Sequence, residues 1–203
     1  HIMANTGNKN AQRAAVAANP TKIITGVCRL SYANIWQAKS INGGVPKYST
    51  SVLIPKSDMK TVANVKAAIE AAYYEGESKL KGNSKTVPSL ASLKTPLRDG
   101  DTERPDDEAY AGHWFLNANS NTAPGVVDAT REPIYDTSEI YSGVYARVSL
   151  TFYAFNSNGN RGIACGLQNI QKVRDGESLG GKPKAEDDFD DGFQVEDDSD
   201  FLN

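Results

Sequence analysis

Apolar and polar residues alternate from the first regular stretch, TKIITGVCRLSYANIW, which puts Ile24, Cys28, Leu30 and Tyr32 on one face and Thr25, Val27, Arg29 and Ser31 on the other. A period of two marks a half-buried strand. KSINGGVPKYSTSVLIP then supplies a Gly-Gly turn and a second alternating run, Tyr48, Thr50, Val52 and Ile54, so the two segments predict an antiparallel hairpin that ends at Pro55. The period lengthens in SDMKTVANVKAAIEAAYYEG, where Met59, Val62, Val65, Ala68 or Ile69, Ala72 and Tyr73 recur at three and four. Ser57 or Asp58 is placed to cap this amphipathic helix and Gly76 to close it, with Lys60 and Lys66 facing water. The apolar pattern then lapses for about thirty residues, a span usual for functional or mobile excursions.

Strand signals return in GHWFLNANS and APGVVDA, and IYSGVYARVSLTFYAFN is the longest of them. SNGN is a hairpin turn that joins it to RGIACGLQNIQKV, and RDGESLGGKPK reads as a polar, glycine-rich linker. Five or six strands with one substantial helix predict a mainly β domain, a small partly open barrel or a compact sandwich. The absence of strand–helix alternation excludes a parallel α/β sheet. The division expected is a disordered arm over 1–20, a folded domain over 21–174, a flexible linker over 175–184 and a tail over 185–203. His1 and Ile2 read as a cloning remnant ahead of Met3, and ANTGNKNAQRAAVAANP lacks the apolar centre of a signal peptide.

Hydrophobic residues make up 39% of the 203, with no apolar run long enough to span a bilayer, so a soluble chain without membrane partners is expected. The net charge of −3 hides a division. AEDDFDDGFQVEDDSDFLN, residues 185–203, carries nine acids and no base; removing those nine from 25 leaves 16 acids against 22 Lys and Arg, a body of +6. Such a polarity suits a body that binds a polyanion and a tail that competes for the same surface, although charge alone favours a solubilising tail on a mildly basic domain. Cys28 and Cys165 lie in separate strand-like runs and His113 is the one histidine after the remnant, too few ligands for a structural zinc and thin material for a Cys-His or Ser-His-Asp site. No catalytic residue, metal or cofactor is expected.

The strand VYARVSLTFYAF divides into an apolar face, Val144, Ala146, Val148, Leu150, Phe152 and Ala154, and a face of Tyr145, Arg147, Ser149, Thr151, Tyr153 and Phe155. Rings and a guanidinium at every second position suit base stacking and phosphate binding on unpaired strands; a covering layer that buries the rings is the other reading. The first hairpin interleaves Arg29, Tyr32, Trp36, Lys39, Lys47 and Tyr48, with Trp36 in a polar turn region and Gly43-Gly44 at the tip. PLRDGDTERPDDEAY gathers Asp99, Asp101, Glu103, Asp106, Asp107 and Glu108, either a Mg²⁺ or Ca²⁺ site of a metal-dependent nuclease or a solvated loop balanced by Arg98 and Arg104.

In order, GVCRLSYANIW, PKYSTSVLIPKSD, a helix, PLRDGD, YAGHWFLNANS, PGVVD, IYSGVYARVSLTFYAF and GIACGLQNIQKVRDGE resemble a family of tailed-bacteriophage single-stranded DNA-binding proteins, over roughly residues 20–178. The resemblance implies an OB-fold-like five-stranded barrel with long loop excursions and non-enzymatic, sequence-independent binding of single-stranded DNA. It further implies a part in phage DNA replication and recombination in the cytoplasm of an infected bacterial host. The acidic tail would then recruit replication partners, for which Phe189, Phe193 and Phe201 are the candidate anchors; Phe201 stands two residues before the end, where the pattern has a terminal aromatic. The face argument supplies the DNA-contacting set: Trp36, Lys39, Lys47, Tyr145, Arg147, Tyr153 and Phe155. A metal-dependent nuclease and a structural or adaptor protein are the competing functions.

Overall fold

The first alternating stretch folds as two strands, β1 (Lys22–Ile24) and β2 (Cys28–Lys39), in a computed structural model that describes residues 19–40 and 43–180. The chain breaks at Thr25 and Gly26 because both are tied elsewhere. Buried Thr25 accepts the amide of Val148 at 3.0 Å, and the amide of Gly26 donates to Thr61 Oγ1 at 2.9 Å. β3 (Lys47–Pro55) returns antiparallel along β2 from Lys39↔Lys47 to Arg29↔Leu53, with register shifts between Ser31 and Asn34 and between Asn34 and Lys39.

Helix α1 (Met59–Glu75) starts at Asp58, whose side chain accepts the Thr61 amide at 3.1 Å, and closes at Gly76, whose amide donates to Ala72 and Tyr73. It buries Val62, Val65, Ala68, Ile69 and Ala72, as the period requires, whereas Met59 at its first turn is exposed. A short helix, α2 (Glu77–Lys81), plants Leu80 in the core. The long excursion carries β4 (Arg98–Asp99) and α3 (Gly100–Glu103) and leads to β5 (His113–Ser120), which pairs along its whole length with β3, from Tyr48↔Ser120 to Pro55↔His113.

After β6 (Gly125–Val127), strands β7 (Tyr145–Ser157) and β8 (Asn160–Arg174) form the predicted hairpin. Its loop is Asn158-Gly159, with φ of 53° and 85°; two successive left-handed residues are what a two-residue turn matched to strand twist needs. β8, of 15 residues, is the longer partner, against 13 for β7.

Pairings β2–β3, β3–β5, β8–β7 and β7–β2 are antiparallel, and β5 meets β8 in parallel at the single pair Asn119↔Gly166. The circuit β7–β2–β3–β5–β8–β7 is therefore a ring of five strands, the mainly β arrangement expected of an OB-like fold, with one seam only a pair wide. Leu30, Val52, Ile54, Leu116, Val148 and Leu150 fill its inside and pack against α1. A second, small cluster lies outside the ring: Leu53 and Phe115 point outward and are covered by Tyr110 of the excursion, whose ring meets Phe115 edge-on at 5.0 Å.

Candidate functional site

Strand period fixes a polar outer face beside that small cluster. Val52, Ile54, Leu116 and Ala118 point into the ring, so Ser49, Ser51, Asn117 and Asn119 point out, paired across the strands as Ser49↔Asn119 and Ser51↔Asn117. The Ser51 hydroxyl donates to Asn117 Oδ1, which ties the two side chains together across the strands. They line a groove of about 670 Å³. Lys39 and Lys47, register partners at the mouth of the β2–β3 hairpin, stand at one side with Gly44 and Val45; Arg104, from the excursion, stands among the same walls. Three cations and no carboxylate line the groove among the described residues, a lining whose charge would attract an anion. Through Tyr32, Asn34 and Lys39 it adjoins a recess of about 600 Å³, and through Asn119 another of about 580 Å³ at the β5–β8 seam.

Tyr32 borders the groove and the first of those recesses. Alternation from Cys28 and Leu30 predicts it on the core face, yet its side is 65% exposed because the β2–β3 register slips after Ser31. Nothing in the local pattern announces a bulge. Arg104 was also hidden in the sequence, where it reads as an ion-pair partner for the acidic excursion; its guanidinium instead lies 5.7 Å from the Phe115 ring centroid, and Glu103 pairs with Arg98 at 3.4 Å.

Of the DNA-contacting residues expected from sequence, Lys39 and Lys47 line the groove. Trp36 lies within β2 and not in a turn; it packs on the core and donates its indole N–H to the Ile140 carbonyl at 3.1 Å. Tyr145 has two guanidinium groups against its ring, Arg174 at 4.1 Å and Arg29 at 5.3 Å from the centroid. Exposed Arg147 donates from Nε to the Thr25 carbonyl at 3.0 Å. Half-exposed Tyr153 and partly buried Phe155 lie over the small residues of β8, opposite Ala164 and Gly162. These four share the outer face of β7, away from the groove lining. Phe189, Phe193 and Phe201 lie outside the described residues.

The acidic excursion uses its carboxylates locally. Lys56 Nζ bridges Asp99 and Asp101 at 2.7 Å each, Asp99 caps α3 by accepting the Asp101 amide, and Asp101 accepts the Gly112 amide at 2.9 Å. The hydrogen bond from Lys56 holds both carboxyls below their ordinary value, and the same two bonds raise Lys56. No group of three or more His, Cys, Asp or Glu among the described residues converges as a metal site. Both cysteines are buried, and burial pushes the Cys28 thiol up to about 12, far from a thiolate nucleophile. No helix among the described residues is long and apolar enough to cross a membrane.

Residues 175–179, the start of the expected linker, are strapped to the ring beside this site. Arg29 Nη2 donates to the Glu177 carbonyl at 2.6 Å, the Tyr141 hydroxyl to Asp175 at 2.8 Å, and the Leu179 amide to the Ser142 carbonyl at 2.9 Å. Ser178, Leu179 and Gly180 line the same recess as Tyr32 and Lys39.

The family described by the single-stranded DNA-binding protein of Enterobacter phage Enc34 matches residues 21–202. The chain belongs to this family. Protein p50 of Acyrthosiphon pisum secondary endosymbiont phage 1 is 30% identical over 179 residues, covering 84% of this chain and 93% of that protein. In fold the chain resembles the Enc34 family member solved in complex with single-stranded DNA, with a TM-score of 0.68 at 23% identity over 79% of this chain and 90% of that one. It also resembles gp2.5, a single-stranded DNA-binding protein encoded by bacteriophage T7, with a TM-score of 0.56 at 14% identity over 80% and 97%.

Proposed function

We propose that this chain binds single-stranded DNA, independently of sequence and without catalysing its cleavage, during replication and recombination of phage DNA inside the host cell. The observation that carries the reading is the acid-free groove over β2, β3 and β5, with Lys39, Lys47 and Arg104 on its walls, in a chain of this family. Lysine and guanidinium contacts to phosphates hold a strand without reading base edges, and stacking tolerates any base. The domain over 21–174 does the binding, and Tyr153, Arg147 and Tyr145 on β7 extend the contact surface beyond the groove.

The tail over 185–203 competes with DNA for the cationic surface and, once displaced, presents Phe189, Phe193 and Phe201 to replication proteins. Support comes from the strap: with Leu179 and Gly180 lining the recess that shares Lys39 with the groove, the last described residue, five before the tail, stands next to the cations the tail would cover. A tether that short raises the effective concentration of its nine carboxylates.

Neither Trp36 nor Trp114 lines the groove, so binding is read from the fluorescence anisotropy of a labelled oligo-dT. Affinity at about 50 mM salt that falls with a logarithmic slope near −3, for about four phosphates neutralised, is expected. Absence of binding at that salt overturns the reading, and Mg²⁺-dependent shortening of the oligonucleotide overturns its non-enzymatic part.

A further inference from the structure

We propose that Tyr32 is a base-stacking platform, held out over the groove by a strained bulge in β2; the inference rests on the DNA-binding reading and deepens it. Three described residues other than glycine have a positive φ. Asn158 sits in the β7–β8 turn and Arg131 in the turn closed by Asp128, where left-handed backbone is the usual solution. Tyr32, with φ of 48°, sits inside a strand. A bulky residue there is an outlier of the kind that persists where the surroundings enforce it and that clusters at functional sites.

The surroundings do enforce it. The Ala33 amide, turned off the ladder, donates to Ser142 Oγ at 3.0 Å, and Asn34 Nδ2 donates to the Tyr32 carbonyl at 3.2 Å. Without the bulge, the alternation through Cys28 and Leu30 would carry the ring inward, to the core face. With it, the ring is 65% exposed and borders the groove of Lys39, Lys47 and Arg104 and the neighbouring recess. It also borders an acidic recess with Glu103, Asp106, Asp107 and Glu108 that would turn phosphates toward the groove. An exposed ring on a backbone that disfavours it contributes little to the fold. Re-aiming a side chain is a recurrent use of a bulge, and a flat aromatic beside three cations that would hold phosphates is placed to take an unpaired base.

Glycine tests this directly, because it adopts the left-handed conformation freely and removes only the ring. Tyr32→Gly is expected to bind oligo-dT about tenfold more weakly than wild type, the loss typical of one stacked base. Its affinity for a fully abasic oligonucleotide of the same length should match wild type within about twofold, and its melting temperature should be unchanged or higher. Tyr32→Phe should bind oligo-dT within about twofold of wild type. If wild type binds oligo-dT and Tyr32→Gly binds it equally well, Tyr32 is no platform and the DNA-binding reading stands. An equal loss on abasic DNA, or a lowered melting temperature, likewise overturns the stacking role. Failure of wild type to bind any oligonucleotide removes both.

Discussion

Lys39 and Lys47 face each other across the mouth of the β2–β3 hairpin, and in the proposed reading each ammonium meets a phosphate. Each single-strand phosphate contact contributes about 0.7 to the salt slope. The double variant Lys39→Ala/Lys47→Ala is therefore expected to lose about 1.4 from that slope. It should bind oligo-dT more weakly than wild type at low salt and converge on it at high salt; parallel salt curves would show that neither lysine meets a phosphate. These two lysines were legible because they flank a recognisable turn. Tyr32 was not, because one slip in a strand exchanges inside for outside, and Trp36 was not, because its polar neighbours read as a turn. Alternation assigned Tyr32 to the core, and the bulge after Ser31 turns it outward; Trp36 was read as part of a polar turn, and β2 runs on through it and packs it on the core. The groove floor was invisible for another reason: Ser49, Ser51, Asn117 and Asn119 are ordinary residues for any exposed sheet face, and only the flanking cations make them a site.

Among the elements, those with local instructions matched their reading. α1 runs from its Asp58 cap to Gly76, and Asn158-Gly159 turns the β7–β8 hairpin. The excursion was not legible, since its acids find a partner in Lys56, 43 residues before Asp99 in the chain. That clamp has a pH signature. Asp99 and Asp101 have depressed carboxyls in the folded state, so their contribution is complete above the ordinary value of 3.8 and is lost as pH falls through the depressed folded values. Lys56 is raised, so its contribution is complete below 10.5 and is lost as pH rises beyond it. Urea midpoints measured in steps should show wild type more stable than Lys56→Met by a constant margin from about pH 5 to 9, with the margin shrinking toward pH 3. A margin that persists unchanged at pH 3 would assign the lysine's effect to its packing over Trp114, 5.0 Å from the ring centroid, and not to the carboxylates.

At the scale of the molecule, closure of the ring depends on pairings that no local pattern encodes: β2 with β7, and β5 with β8 at one residue pair. What the chain did display was its division of charge, +6 against nine carboxylates, and the strap now gives that division a geometry. Anchored by Arg29 and Ser142, the described chain ends at Gly180 in the recess beside the groove, which is the geometry that the proposed competition between tail and DNA for the same cations needs. Deleting residues 185–203 should then tighten binding to oligo-dT most at low salt, where the tail's own hold is strongest. Raising the salt screens tail and DNA alike, so full-length and truncated proteins should converge, and the truncated protein should show the steeper salt dependence. Adding Lys39→Ala/Lys47→Ala to both forms should reduce the gain from truncation, because the tail loses the same partners as the strand. A gain that is unchanged in that background would place the tail on a different surface, and no gain at any salt would leave its carboxylates without a role in DNA binding.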